Sequence, residues 1–411
     1  SKSMQDYLAI DQPILRRIYG CSFLPHHDYG RGGRGWRDLW QDSLALILME
    51  PEEVRHLLFN NFLGVRIDGS NATIIGDAPG QFLADRNHIA RVWMDHGSWP
   101  FITTKLYLDK SGDYAFLFEH QKYFSDQFSH YTKMVDNRHI DTEHIQKTES
   151  GAFYSGTILE HLIIQNLIPF FNVGNHNNIR IEGADWNDAL DMASKKGESV
   201  AFTSLYASNL IEIRHLLTAL HQKGIETIEL LSELDILLGE LDFEDVHAKQ
   251  SLLKRYFDSV YPLVKGDKTS HDVAKLSRKL IEYGQMLLEH VRANEWMENE
   301  KEGWFNGYYD GDGNRLENLE NHLMTLTGQV FAIYGGAATD KQIEKIIESA
   351  DRHLFDESVG GYRLNTDFKV LKPNMGRLFG FAYGHKENGS MFSHMAVMYA
   401  NALYKREIGR A

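Results

Sequence analysis

Apolar residues recur at three- and four-residue spacing in roughly a dozen stretches of this chain, the mark of helices that each bury one face. The stretches are 4–19, 37–49, 51–63, 113–131, 156–170, 203–222, 226–239, 244–262, 270–293, 318–334, 339–350 and 391–406. Alternating patterns that would make strands are few and short, at Ala72–Ile75, Ile179–Ile181 and Gly361–Leu364. There are eight prolines in 411 residues, and no low-complexity linker or fixed-period repeat divides the helices into separate units. The pattern predicts a single large all-α domain over residues 1–411, and the 43% of hydrophobic residues supplies its core.

Charge removes several classes of partner. With 43 basic and 57 acidic residues the formal net charge is −14, which repels nucleic acid and anionic membranes. No apolar run reaches the length of a membrane span. The N-terminus has no apolar signal core, so the expected location is the cytoplasm. Cys21 is the sole cysteine, and no internal disulfide can form. Between the helices lie Gly-rich and polar stretches at 22–36, 64–88, 94–99, 171–188, 295–317 and 373–390. Connections this long in a compact domain are usually functional or disordered.

Three of these stretches hold chemistry-bearing clusters. In the first, Gly30-Arg31-Gly32-Gly33-Arg34-Gly35-Trp36-Arg37-Asp38 runs into a helix. Its arginines offer rigid donors for hydroxyls or an anion, and Asp38 offers an acceptor. The plain alternative is a solvated Arg/Asp network at a helix start. In the second, Gly183-Ala184-Asp185-Trp186-Asn187-Asp188 places two carboxyls around an indole at a loop-to-helix junction, and Asp191 follows. Asp185 or Asp188 could simply cap a helix. A carboxyl against a dry aromatic wall has a raised pKa, which suits a general acid. In the third, His385-Lys386-Glu387-Asn388-Gly389 leads to His394 at another helix start, a place where anions bind; a packed core histidine is the competing reading. Asp95 and Trp99 are candidates to line the same pit, and Glu160-His161 reads equally well as ordinary packing. Asp310-Gly311-Asp312-Gly313-Asn314 lacks the Gly and Glu of a calcium loop and reads as a turn. No His-Glu-x-x-His or Cys/His ligand spacing is present, so neither a metal nor an organic cofactor is expected.

Together these motifs resemble a known family. Arg31 to Asp42 resembles the Arg…Gly-Tyr-Arg-Asp…Gln-Asp motif of the cellobiose and chitobiose phosphorylases of glycoside hydrolase family 94, with Trp36 in place of the usual tyrosine. Gly183 to Leu190 resembles their Gly-x-Asp-Trp-Asn-Asp-Gly-Met motif, with Ala189-Leu190 at its end. Gly156 to His161 resembles the helix before it, and Lys386 to His394 a Lys-Glu-Asn-Gly…Phe-x-His segment. The resemblance, with the helix count, implies an (α/α)6 toroid with long loops and minor β structure. It also implies an inverting glycoside phosphorylase, lacking here the family's flanking β-sandwich and C-terminal segments.

On that resemblance Asp188 falls on the general acid and Trp186 on a stacking residue. Arg31, Arg37 and Asp38 fall on ligands of the −1 sugar, His394 with Arg31 on phosphate ligands, and Asp95 and Trp99 loosely on a sugar-site segment; Glu387 is a further substrate-binding candidate. The implied reaction is reversible phosphorolysis of a β-linked gluco-oligosaccharide to α-glucose 1-phosphate, with inorganic phosphate as co-substrate. The Trp36 and Ala189-Leu190 variants lean towards a longer, β-1,3-linked glucan. Two rivals stand beside this: an inverting hydrolase with Asp188 as acid and Glu387 as base, and a sugar-binding domain without catalysis. A homodimer and flanking domains are the candidate protein partners.

Overall fold

The computed structural model describes residues 35–75, 80–83, 92–126, 128–129, 134–135, 143–358, 360–372 and 375–408. The segment 4–19 lies outside them. Among the described residues there are eleven α-helices, labelled here α1 (Trp36–Met49), α2 (Pro51–Phe62), α3 (Ser98–Ser111), α4 (Ile158–Phe171), α5 (Val200–Gln222), α6 (Val246–Val260), α7 (Val273–Asn294), α8 (Leu326–Gly335), α9 (Asp340–His353), α10 (Arg377–Gly380) and α11 (Ser393–Lys405). Strands form only two-stranded antiparallel ribbons. The fold is all-α, of the (α/α)6 barrel type. No described helix is long and apolar enough to cross a membrane.

Side-chain chemistry sorts the helices into layers. Every residue of α4, Ile-Leu-Glu-His-Leu-Ile-Ile-Gln-Asn-Leu-Ile-Pro-Phe-Phe, is buried, and so is nearly all of α8. Helices apolar on all sides belong inside. By contrast α6, α7 and α9 bury one stripe and turn charged residues outwards. Starts are set by caps: Thr157, Ser199, Asp245 and Asp272 each accept a backbone N–H of the first turn of α4, α5, α6 and α7, and Thr339 with Gln342 forms a capping box on α9.

Helix α8 lies so close to α5 that a Cβ on Gly335 would stand 2.4 Å from the carbonyl oxygen of Ser204. A main-chain oxygen cannot swing aside as a side chain can. Gly335→Ala should therefore destabilise the fold by about 1–3 kcal/mol through overpacking, read as a lower denaturant midpoint at unchanged slope. A midpoint equal to the parent's would mean that the two helices can separate at no cost.

Several sequence expectations need correction. The described residues of stretch 113–131 form no α-helix: Gly112, at φ 69, ends α3, and a 3-10 turn (Tyr114–Phe118) leads to strand His120–Lys122, paired with Ser155–Thr157. Stretch 226–239 is strand Thr227–Leu231, paired with Lys268–Asp272, followed by a 3-10 turn; its apolar residues satisfy alternation as well as helical spacing. In 318–334 the helix begins only at Leu326, after a turn closed between Asn318 and Leu323. Helix α3 went unforeseen because burial on several sides, from Ser98 through Leu108, leaves little polar contrast. Of the expected strands, 179–181 contributes only isolated bridges.

Candidate active site

The starts of α1, α3, α5 and α11 meet the loop 183–191. Arg37, one residue into α1, reaches across to Asp95, just before α3. Its Nε and Nη2 donate to Oδ2 and Oδ1 of Asp95 at 2.6 and 2.9 Å, and Nη2 also donates to the carbonyl of Asp185 at 3.1 Å. Asp95 is fully buried and accepts a third bond from the Trp99 indole N–H at 2.8 Å. Arg37 beside it and the bond from Trp99 hold its carboxyl below the usual range against the opposing effect of burial. Asp95 and Trp99, expected on the wall of the pit, thus stand behind Arg37 and brace it. Asp38 is half-buried, with its Oδ2 where it would stand 3.0 Å from a Cβ on Gly35.

Loop 183–191 carries two carboxyls with different surroundings. Asp185 is buried, accepts from the Ser199 hydroxyl at the start of α5 (3.1 Å), and is raised by burial to about 7. Asp188 keeps 21% of its side chain accessible, and burial raises it to about 6 despite the nearby guanidinium groups of Arg37 and Arg377. Arg37 Nη2 lies 3.8 Å from Oδ1 and Arg377 Nη1 lies 3.2 Å from Oδ2. Oδ1 itself has no hydrogen-bond donor among the described residues. Asp188 sits at φ 58, a left-handed conformation uncommon outside glycine and least unfavourable for Asn and Asp. The turn is held by its own amide donating to Asp185, and by the Leu378 amide donating to Ala189.

Arg377 escaped sequence reasoning. Its Nη1 joins Asp188 Oδ2 (3.2 Å) to Glu387 Oε1 (3.1 Å), and its Nε lies 3.6 Å from Asp191 Oδ2. The loop before it fits against 188–191 because position 376 is glycine. There φ is 117, and a Cβ would strike Asp191 Oδ1 at 2.3 Å. The one available signal was a Gly-Arg pair inside the long stretch 373–390. Glu387 is buried, and its Oε2 has no hydrogen-bond partner among the described residues. Trp186 is buried, walled edge-on by His394 (5.2 Å between centroids) and Phe392 (6.1 Å). His394 is exposed in the first turn of α11. Arg31 lies outside the described residues.

Two other clusters fall into structural roles. Glu160 is fully buried and accepts from the hydroxyls of Tyr123 and Tyr154 and the amide of Leu231, while His161 stacks on Tyr123 at 3.8 Å. Asp310 closes its own turn by accepting from the amides of Asp312 and Asn314.

The chain matches the family described as "Glycosyl hydrolase 94 superfamily, catalytic domain" over residues 22–223 and 264–410. It belongs to that family. Among curated relatives, the solabiose phosphorylase of Paenibacillus borealis is 24% identical over 370 residues, which is 88% of this chain and 36% of that protein. A cellobionic acid phosphorylase of Neurospora crassa is 28% identical over 80 residues, 20% of this chain and 10% of that one. The chain therefore spans about a third or less of the length of these two relatives. A solved D-mannose isomerase covers 91% of the chain, and the chain 72% of it, at 10% identity and TM-score 0.41, a likeness too low to bear on the assignment. As a glycosyl hydrolase 94 catalytic domain, the chain carries Asp188, Arg37, Arg377 and Glu387 in one connected cluster, with Trp186 and His394 packed edge to face beside it.

Proposed function

We propose that this domain is the catalytic unit of an inverting glycoside phosphorylase, and that residues 1–411 act as one barrel. The observation that carries this reading is Asp188, a carboxyl raised to about 6, one of whose oxygens has no hydrogen-bond donor among the described residues, with a guanidinium group on either side. Such a carboxyl holds a proton at mildly acidic pH and can deliver it to a departing glycosidic oxygen. Phosphate attacks the anomeric carbon from the opposite face. It is already an anion, so no second carboxylate is needed as base. His394, exposed at the start of α11, is the proposed phosphate ligand, together with Arg31. Arg37 and Asp38 would hold the −1 sugar and Trp186 would wall it. Asp95 and Trp99 would act through Arg37.

The arrangement of Glu387 favours this reading over a hydrolase. Asp188 and Glu387 both bond one nitrogen of Arg377, so a guanidinium group stands between the two carboxyls where an inverting hydrolase would need room for a water. The relatives named as phosphorylases of solabiose and cellobionic acid point the same way. We assign the substrate to the β-linked gluco-oligosaccharides, with products α-glucose 1-phosphate and the shortened sugar.

The test runs the reaction backwards. Incubation with α-glucose 1-phosphate and a panel of gluco-oligosaccharide acceptors should release inorganic phosphate, with one acceptor preferred. Failure of every acceptor, while β-glucosides are hydrolysed, would overturn the proposal.

The pH dependence has a definite sign. Asp188 acts protonated, so kcat/KM should fall as pH rises through about 6. Arg377 favours the charged form of Asp188; Arg377→Gln removes that bias and should move the alkaline limb to higher pH, whatever happens to the maximum rate. A limb unmoved in this variant would show that Arg377 does not act on the proton donor.

A further inference from the structure

A second constellation lies outside the cluster around Asp188. Glu302 occupies the turn between strands Trp296–Glu298 and Gly303–Phe305 and is almost wholly buried. Its Oε1 faces Nδ1 of His322 at 2.9 Å, and its Oε2 faces Nε2 of His353 at 2.7 Å. One donor atom from each of the three side chains lies within 4.8 Å of the others. The two imidazoles stack, 4.8 Å between centroids and 20° from parallel, and Trp304 stands edge-on against His353 on the inner side. The outer side is open, since the His322 side chain is 56% exposed.

The three side chains come from different elements, each fixed on its own terms. His353 is the last residue of α9. The Glu302 amide donates to Asn299 Oδ1, and the next amide, of Gly303, donates to Ser349 Oγ of α9. His322 stands at φ 53 in the turn where Asn318 and Leu323 exchange backbone bonds. Local spacing could not reveal the group, because the histidines are 20 and 51 residues from Glu302. Glycosidic chemistry at Asp188 makes no use of it.

Two neutral imidazoles and a carboxylate are a donor set that zinc takes in tetrahedral sites, with water in the fourth position. We propose that Glu302, His322 and His353 form a zinc-type divalent metal site, open to solvent through the His322 side, that fastens the end of α9 to the hairpin and the 318–323 turn. The ion would take the place of the imidazole N–H hydrogens that now face Glu302. Arg352 Nη1, 3.3 Å from Glu302 Oε2 and 3.4 Å from the Lys301 carbonyl, is half-exposed and opposes the ion.

The whole chain, stripped with EDTA and dialysed, would be titrated with zinc sulfate by calorimetry at pH 7.5. The proposal expects one equivalent bound with a Kd of about 10 μM or tighter, and a higher melting temperature with zinc. Cobalt(II) in its place should give the visible absorption bands of a four-coordinate ion. His322→Asn keeps a residue that accepts the left-handed backbone and should weaken binding at least tenfold while leaving the metal-free melting temperature in place. Arg352→Ala should tighten it. His56→Ala, on the exposed face of α2, should change nothing. Absence of saturable binding, or binding equally tight in His322→Asn, would overturn the proposal.

Discussion

Asp188→Asn should lower kcat for phosphorolysis by about a hundredfold to ten-thousandfold, the range a well-placed proton donor contributes. The substitution suits the fold, because asparagine tolerates the left-handed conformation that Asp188 adopts at φ 58. The melting temperature should stay close to the parent's, and KM should move much less than kcat. The loss should also depend on the leaving group. With a 2,4-dinitrophenyl β-glucoside, whose departing oxygen needs no proton, the same variant should lose less than about tenfold. An equal loss on both substrates would mean that Asp188 shapes the site without donating the proton. Asp185 is the useful comparison: it is also raised, to about 7, but it is buried and bonded to Ser199. Asp185→Asn should act on stability and geometry, without selectivity for the leaving group.

The second large effect is on folding. Arg37→Met removes both guanidinium bonds from the fully buried Asp95 carboxylate and leaves it the neutral indole N–H of Trp99. Breaking a buried pair from one side typically costs about 3–5 kcal/mol, most of it the desolvation of the partner left behind. The double variant Arg37→Met with Asp95→Asn should recover part of that loss, since it removes the orphaned charge. The pH dependence follows from the lowered pKa of Asp95. A carboxyl depressed in the folded state adds stability that is fully present above its unfolded pKa, about 3.9, and is lost as pH falls towards the folded value. The parent should therefore lose stability in acid more steeply than the double variant. A single Arg37→Met variant within 1 kcal/mol of the parent would contradict the account of Asp95 as a buried brace.

How much of this could be read from the sequence depends on distance along the chain. Asp185, Trp186 and Asp188 are neighbours, and their chemistry is local; so is the entry of Arg37 and Asp38 into a helix. The pairings that give those residues their character are remote. Arg37 meets Asp95 across 58 residues, and Arg377 meets Asp188 across 189. No local spacing carries such a contact, so little near Arg377 in the sequence marks it, and Asp95, expected on the wall of the pit, stands behind it. The helical pattern was legible where a helix has a wet face, as in α7 and α9, and failed in α3, which packing buries on several sides. Strand Thr227–Leu231 fits a helical reading of the sequence because five residues of burial pattern cannot separate the two periods.

The measurement closest to the central claim is product analysis with phosphate supplied and withheld. The chain would be incubated with the β-linked gluco-oligosaccharide it accepts best, and the products followed by proton NMR, which distinguishes the anomers. The account predicts α-glucose 1-phosphate, formed only when phosphate is present and abolished in Asp188→Asn. Free glucose released at the same rate without phosphate would contradict it, and would make Glu387 the next residue to replace.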